Sequence, residues 1–121
     1  MARFAWNKSG TFRSGTYSYT DAGGEQTVYE FINTKSKLLQ GIFLDLFTMS
    51  QNGTIKVYYK IDGSTYREII TKTYTVGVDK VGVYVEANFA VSSSIKVTYT
   101  EESNEGAVRA VPYSIGYENR M

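Results

Sequence analysis

Asp45 and Glu86 are the residues of this 121-residue chain that come nearest to a catalytic pair. Each is an acid in a strand-like run beside aromatic rings, Asp45 between Phe43 and Phe47, Glu86 two positions after Tyr84. Two carboxylates about 5–10 Å apart beside rings are what glycoside hydrolysis requires. The competing reading puts both on the solvent side of their strands, where an acid interrupts an apolar run and discourages edge pairing. That reading is preferred, because a chain this short leaves little room for a substrate cleft. The chain also has no histidine and no cysteine. This removes Ser-His-Asp and Cys-His nucleophile systems, Cys/His zinc sites, haem and iron–sulfur ligation by these residues, and every disulfide. We expect a non-enzyme with no catalytic residue and no cofactor.

Calcium binding is a second chemistry these acids could support, through Asp21, Glu25, Asp62, Asp79 and the acidic stretch Glu101-Glu102-Ser103-Asn104-Glu105. Calcium needs six to eight converging oxygens, and no segment has the ligand spacing of an EF-hand loop. Glu101 to Gly106 reads as a solvated hairpin tip, so no metal site is expected. Gly23-Gly24 is too short for a phosphate cradle and precedes a strand.

Thirteen basic and twelve acidic side chains leave a formal charge of +1, which provides no global field toward nucleic acid or anionic lipid. Lys56, Tyr58, Lys60 and Arg67 could share one strand face and stack bases, yet no run of cations exists, so a nucleic-acid partner is disfavoured. The strongest apolar stretch, Leu38 to Phe47, is broken by Gln40, Gly41 and Asp45 and is far shorter than the roughly 20 residues a bilayer needs. Met1 to Lys8 mixes charge and aromatics without an apolar signal-peptide core. We expect a soluble protein with no membrane partner.

The elements behind these residues are strands. Ile55, Val57, Tyr59 and Ile61 alternate with Lys56, Tyr58 and Lys60, and Ile95, Val97 and Tyr99 alternate with Lys96, Thr98 and Thr100, the period of a strand with one buried face. Further strands are expected at 26–33, 38–48, 65–71, 73–78, 81–87 and 107–117, rich in Val, Ile, Thr and Tyr, with polar turns at 51–53, 62–64, 78–80 and 103–106. No segment carries a sustained helical period. The fold class is all-β: an antiparallel β-sandwich, jelly-roll-like, of about seven to nine strands.

Two details bear on its architecture. Asp62-Gly63 signals a hairpin. A two-residue turn would set Glu68 opposite Val57, whereas a three-residue loop pairs Val57 with Ile69 and turns Arg67 toward Tyr59; the longer loop is preferred. There is also an internal echo. Gly41-Ile-Phe-Leu-Asp-Leu46 followed by Thr54-Ile-Lys-Val-Tyr-Tyr59 matches Gly82-Val-Tyr-Val-Glu-Ala87 followed by Ile95-Lys-Val-Thr-Tyr99. Two half-buried hairpins could converge on this script, or a duplicated hairpin could supply one unit to each sheet.

Residues 1–24 differ in character from the sandwich domain expected over 25–121. They hold Phe4, Trp6, Phe12, Tyr17 and Tyr19 among Ser, Gly and Thr, with Arg3, Lys8 and Arg13, too many large rings for a solvated tail. The segment is expected to be an extended arm or added strand, lying on its own domain or on a neighbouring copy. Arg3, Phe4, Trp6, Phe12, Arg13, Tyr17 and Tyr19 are its candidate protein-interaction residues.

The run Ile55-Lys-Val-Tyr-Tyr-Lys-Ile-Asp-Gly-Ser-Thr-Tyr66, with Ile95 to Thr100 and the close Gly106-Ala-Val-Arg-Ala-Val-Pro-Tyr113, resembles small virion structural proteins of tailed viruses of bacteria and archaea. The resemblance spans residues 38 to 115, leaves out the arm, and transfers no binding residue. It implies a β-sandwich or jelly roll that decorates a capsid or builds a tail as a symmetric oligomer. The partners would be further copies of the chain and a larger capsid or tail protein, and the location the virion. A secreted or cytoplasmic carbohydrate-binding module stays open as the alternative. Tyr58, Tyr66, Tyr84 or Trp6 would then stack on sugar rings; two or three coplanar rings along one sheet face would favour it.

Overall fold

The structure, a computed structural model, describes residues 10–20, 24–32 and 36–119. Eight strands form within them: β1 (Gly10–Tyr19), β2 (Glu25–Phe31), β3 (Lys37–Asp45), β4 (Gly53–Lys60), β5 (Tyr66–Tyr74), β6 (Gly82–Val91), β7 (Ile95–Glu101) and β8 (Arg109–Asn119). They make two four-stranded antiparallel sheets, the first in the order β1-β8-β3-β6 and the second β2-β7-β4-β5. This is the jelly-roll order. Its logic is a long ribbon folded at 61–65, in which β4 pairs with β5, β3 with β6, β2 with β7 and β1 with β8. Rolling the ribbon then adds the β3–β8 and β4–β7 ladders.

Alternation buries one face of each sheet. Ile42 and Leu44 of β3, Ile55 and Val57 of β4, Val83 and Val85 of β6, Ile95 and Val97 of β7, and Val111 and Ile115 of β8 lose nearly all solvent contact. Each such side chain contributes roughly 1.5–3 kcal/mol of transfer free energy. Tyr19 and Tyr99 meet edge to face within this core, ring centroids 5.5 Å apart.

Four expectations need correction. The segments 65–71 and 73–78 give one strand, β5, because its ladder with β4 runs through Thr71–Thr73, and it ends at Tyr74, with 76–78 in a turn. Ile61 is not inward but mostly exposed in the turn, where Asp62 Oδ1 accepts from the Ser64 and Thr65 amides. Arg67 does lie opposite Tyr59, but a bulge beyond it pairs Val57 with Ile70 rather than Ile69; the extra residue keeps the apolar side of β5 toward the core. The echo is no duplicated hairpin: Phe43 pairs with Tyr84 in the first sheet, while Val57 pairs with Val97 in the second. Each copy gives one strand to each sheet.

Candidate interaction surface

The two outer faces differ in chemistry. On the second sheet the side chains satisfy one another. Glu25 accepts from the hydroxyls of Tyr58 (2.5 Å) and Thr98 (2.6 Å), and Glu30 accepts from Tyr66 (2.5 Å). The Lys96 ammonium stands 4.9 Å from the Tyr58 ring centroid and 4.6 Å from that of Tyr66, with Lys60 4.9 Å over Tyr66. Lys56 pairs with Glu68 at 3.4 Å, and Glu68 also accepts from Thr71. The Thr98 and Tyr58 hydrogen bonds hold the Glu25 carboxyl below its ordinary range. In return Glu25 raises the Tyr58 phenol to about 12, and burial together with Glu30 raises Tyr66 to about 12.

The first sheet's outer face is aromatic. Period-two alternation points Phe12, Ser14 and Thr16 of β1, Pro112, Ser114 and Gly116 of β8, Phe43 and Asp45 of β3, and Tyr84 and Glu86 of β6 outward. Phe43 and Tyr84 stack with centroids 4.8 Å apart and planes 29° apart. Two glycines make room for rings: a Cβ on Gly41 would come within 2.8 Å of Tyr84 Cε1, and one on Gly116 within 3.0 Å of Phe12 Cε2. Such rings lying over strand glycines restore the packing that the missing side chains forfeit. Phe12 is 64 % exposed, Phe43 45 % and Tyr84 44 %. Phe43, Asp45, Val81, Tyr84, Pro112 and Ser114 line a shallow groove of about 400 Å³.

The candidate residues of the N-terminal segment divide. Arg3, Phe4 and Trp6 lie outside the described residues. Residues 10–19 form β1 along β8. Within it Phe12 faces outward, whereas Arg13, Tyr17 and Tyr19 sit on the inner side. Arg13 Nε donates to the Tyr117 hydroxyl at 3.0 Å, Tyr17 donates to Gln26 Oε1 at 2.9 Å, and Tyr19 is fully buried, its hydroxyl donating to the Gly24 carbonyl. Desolvation pushes the Tyr19 phenol upward. These three tie β1 to its own sandwich.

Asp45 and Glu86 do not converge. They lie opposite Gly82 and Gly41 respectively, four positions apart along the ladder, or about 13 Å at strand rise, and both face outward. The acidic stretch expected as a solvated tip is buried at Glu101 and Glu105. Glu105 accepts from the Ser50 amide and hydroxyl and the Gln51 amide, and pairs with Arg109 at 3.2 Å. Its role was missed because its partners lie more than 50 positions away; only Arg109 at i+4 was visible locally. Of the other carboxylates considered for calcium, Asp62 is used in its own turn, Asp79 accepts from the Thr75 amide, Glu25 is held by Tyr58 and Thr98, and Asp21 lies outside the described residues. The rings named for sugar stacking are dispersed. Tyr58 and Tyr66 have lysines over their faces, Tyr84 stands on the opposite sheet against Phe43, and Trp6 lies outside the described residues. Among the described residues no helix is long and apolar enough to cross a membrane.

No family model matches the sequence and no curated protein is significantly similar to it. Solved structures do share the fold. A chain from the capsid of Helicobacter pylori bacteriophage KHP30 aligns with a TM-score of 0.58 at 12 % identity, over 91 % of this chain and 87 % of that one. A chain of the disulfide-linked pili that form Bacillus endospore appendages aligns at 0.55 and 16 %, over 94 % and 90 %. PirA aligns at 0.54 and 11 %, over 88 % and 93 %. The likeness to β-sandwich virion proteins read from the sequence is thus met at the level of fold.

Proposed function

We infer that this chain is a non-enzymatic structural protein of a virus particle, a capsid decoration or tail component that acts as a homo-oligomer docked on a larger protein shell. The observation that carries this reading is the outer face of the first sheet. Phe12, Phe43 and Tyr84 are held over glycines in an exposed patch, and exposed aromatic patches of this kind serve as anchors in protein interfaces. Jelly rolls in a phage capsid and in a bacterial pilus support it as precedents for assembly on this fold. The separation of Asp45 and Glu86 and the engagement of Glu25, Asp62 and Glu105 in structural hydrogen bonds support a role without catalysis. The experiment is co-purification: the protein, followed by mass spectrometry, is expected in virus particles of the producing cell and as an oligomer when isolated. A chain that is monomeric at all concentrations and absent from particles overturns the reading.

A further inference from the structure

We propose that the groove on the first sheet's outer face receives residues 1–9 of a neighbouring copy, with Phe4 and Trp6 lying against Phe43, Tyr84 and Pro112. This rests on the reading above in one respect, that copies of the chain meet. The chemistry of the two surfaces is complementary. The outward positions of the first sheet carry the acids Asp45, Glu86 and Glu118 and no Lys or Arg, while residues 1–9 carry Arg3 and Lys8 and no acid. An isologous contact between two such faces would oppose acid to acid, which disfavours it. An arm with rings between two cations fits the apolar floor and the acidic margin together.

Chain direction favours a neighbour's groove over the copy's own. β1 begins at Gly10, and Phe43 lies in the row Ser14–Ser114–Phe43. That row is four positions along the strand from Gly10 and Phe43 is two strands across, a separation of roughly 17 Å at about 3.4 Å per residue and 4.8 Å per strand. Trp6 is four residues before Gly10, so full extension carries it at most about 14 Å. To reach its own groove the segment would have to reverse at Gly10, because β1 itself runs toward the groove row, and then run back near full extension. A neighbour's arm carries no such limit.

The absence of natural cysteine makes the test direct. Two single-cysteine chains, Trp6→Cys and Ser114→Cys, are mixed under mild oxidation. The expected result is a mixed disulfide dimer well in excess of either homodimer, lost when the Ser114→Cys copy also carries Phe43→Ser and Tyr84→Ser. Mixed dimer no more abundant than the homodimers overturns the proposal, as does a doubly substituted chain that closes on itself at high dilution. A second measurement does not depend on any groove substitution. A peptide of residues 1–9 titrated in excess onto the full chain should shift the NMR signals of Phe43 and Tyr84. Shifts instead at Ile61, Ile69 and Phe89, on the open side between β5 and β6, or no shifts, overturn it. If copies associate or enter particles without the mixed disulfide, the arm assignment fails while the structural role stands; a monomer absent from particles removes the role itself.

Discussion

Tyr99 fills the space where a side chain at Gly53 would stand: a Cβ on Gly53 would overlap the Tyr99 hydroxyl and lie 2.8 Å from the Thr100 carbonyl oxygen. Gly53 opens β4 and is buried, and Tyr99 is its core neighbour from β7. The close approach of these two ladders thus depends on a residue with no side chain. We expect Gly53→Ala to destabilise the fold by about 1–3 kcal/mol, the usual cost of overpacking a well-filled core. Thermal or urea unfolding measures it, and a cost below that of Gly41→Ala would contradict the assignment. At Gly41 the obstructing Tyr84 ring is half exposed and can swing aside.

The stacked pair Phe43–Tyr84 should couple energetically. A double-mutant cycle with Phe43→Ala and Tyr84→Ala is expected to give an interaction of about 0.5–1.5 kcal/mol. Additive losses would mean that the contact adds nothing beyond the burial of each ring.

Acid should weaken the fold through Glu25. The hydroxyls of Thr98 and Tyr58 lower its pKa in the folded state, so its contribution is complete above the ordinary glutamate value near about 4.3 and is lost as pH falls through the lower folded value. Glu25→Gln is therefore expected to flatten the acid limb of a stability–pH curve. An unchanged limb would locate acid sensitivity elsewhere.

Alkali tests the same network from the other side. Tyr58 and Tyr66 are raised to about 12, so their contribution is complete below the ordinary tyrosine value of about 10 and is lost as pH rises through the folded one. Ultraviolet titration should show these two phenols ionising late. Glu25→Gln should return Tyr58 toward the ordinary value while Tyr66, raised first by burial and then by Glu30, stays high.

Glu105 should be a stability residue of the loop ends. Glu105→Ala removes the acceptor for Ser50 and Gln51 and the partner of Arg109. We expect a loss of about 1–3 kcal/mol, the cost of leaving buried donors unsatisfied, with faster amide hydrogen exchange at Ser50 and Gln51. Unaltered exchange there would show that the carboxylate does not hold the turn.

Much of this molecule was legible along the chain. The alternation of Ile55, Val57 and Ile95, Val97 with lysine and threonine marked β4 and β7 and their buried faces, because side chains on a strand have no other arrangement that hides one set from water. The turn at Asp62-Gly63 was legible for a similar reason, since an Asx turn is chemistry within four residues. The echo was visible as well, yet its meaning was not. Identical scripts suit any half-buried strand, so they cannot say whether two copies pair with each other or stand apart.

Composition and alternation are enough for the class: an all-β sandwich without histidine or cysteine, with its rings concentrated in strands and in the N-terminal segment. Tertiary structure alone decided which rings are structural and which are presented. Tyr17 and Tyr19 look no different in sequence from Phe12, but β1 pairs with β8 in a register that turns the tyrosines inward and leaves Phe12 over Gly116. It likewise parted Asp45 from Glu86 and drew Glu105 from a presumed solvated tip into a buried anchor. Each of these outcomes depends on pairing between positions 37 to 104 residues apart, and one residue of register exchanges the faces of a strand. Local residue type carries no record of that choice.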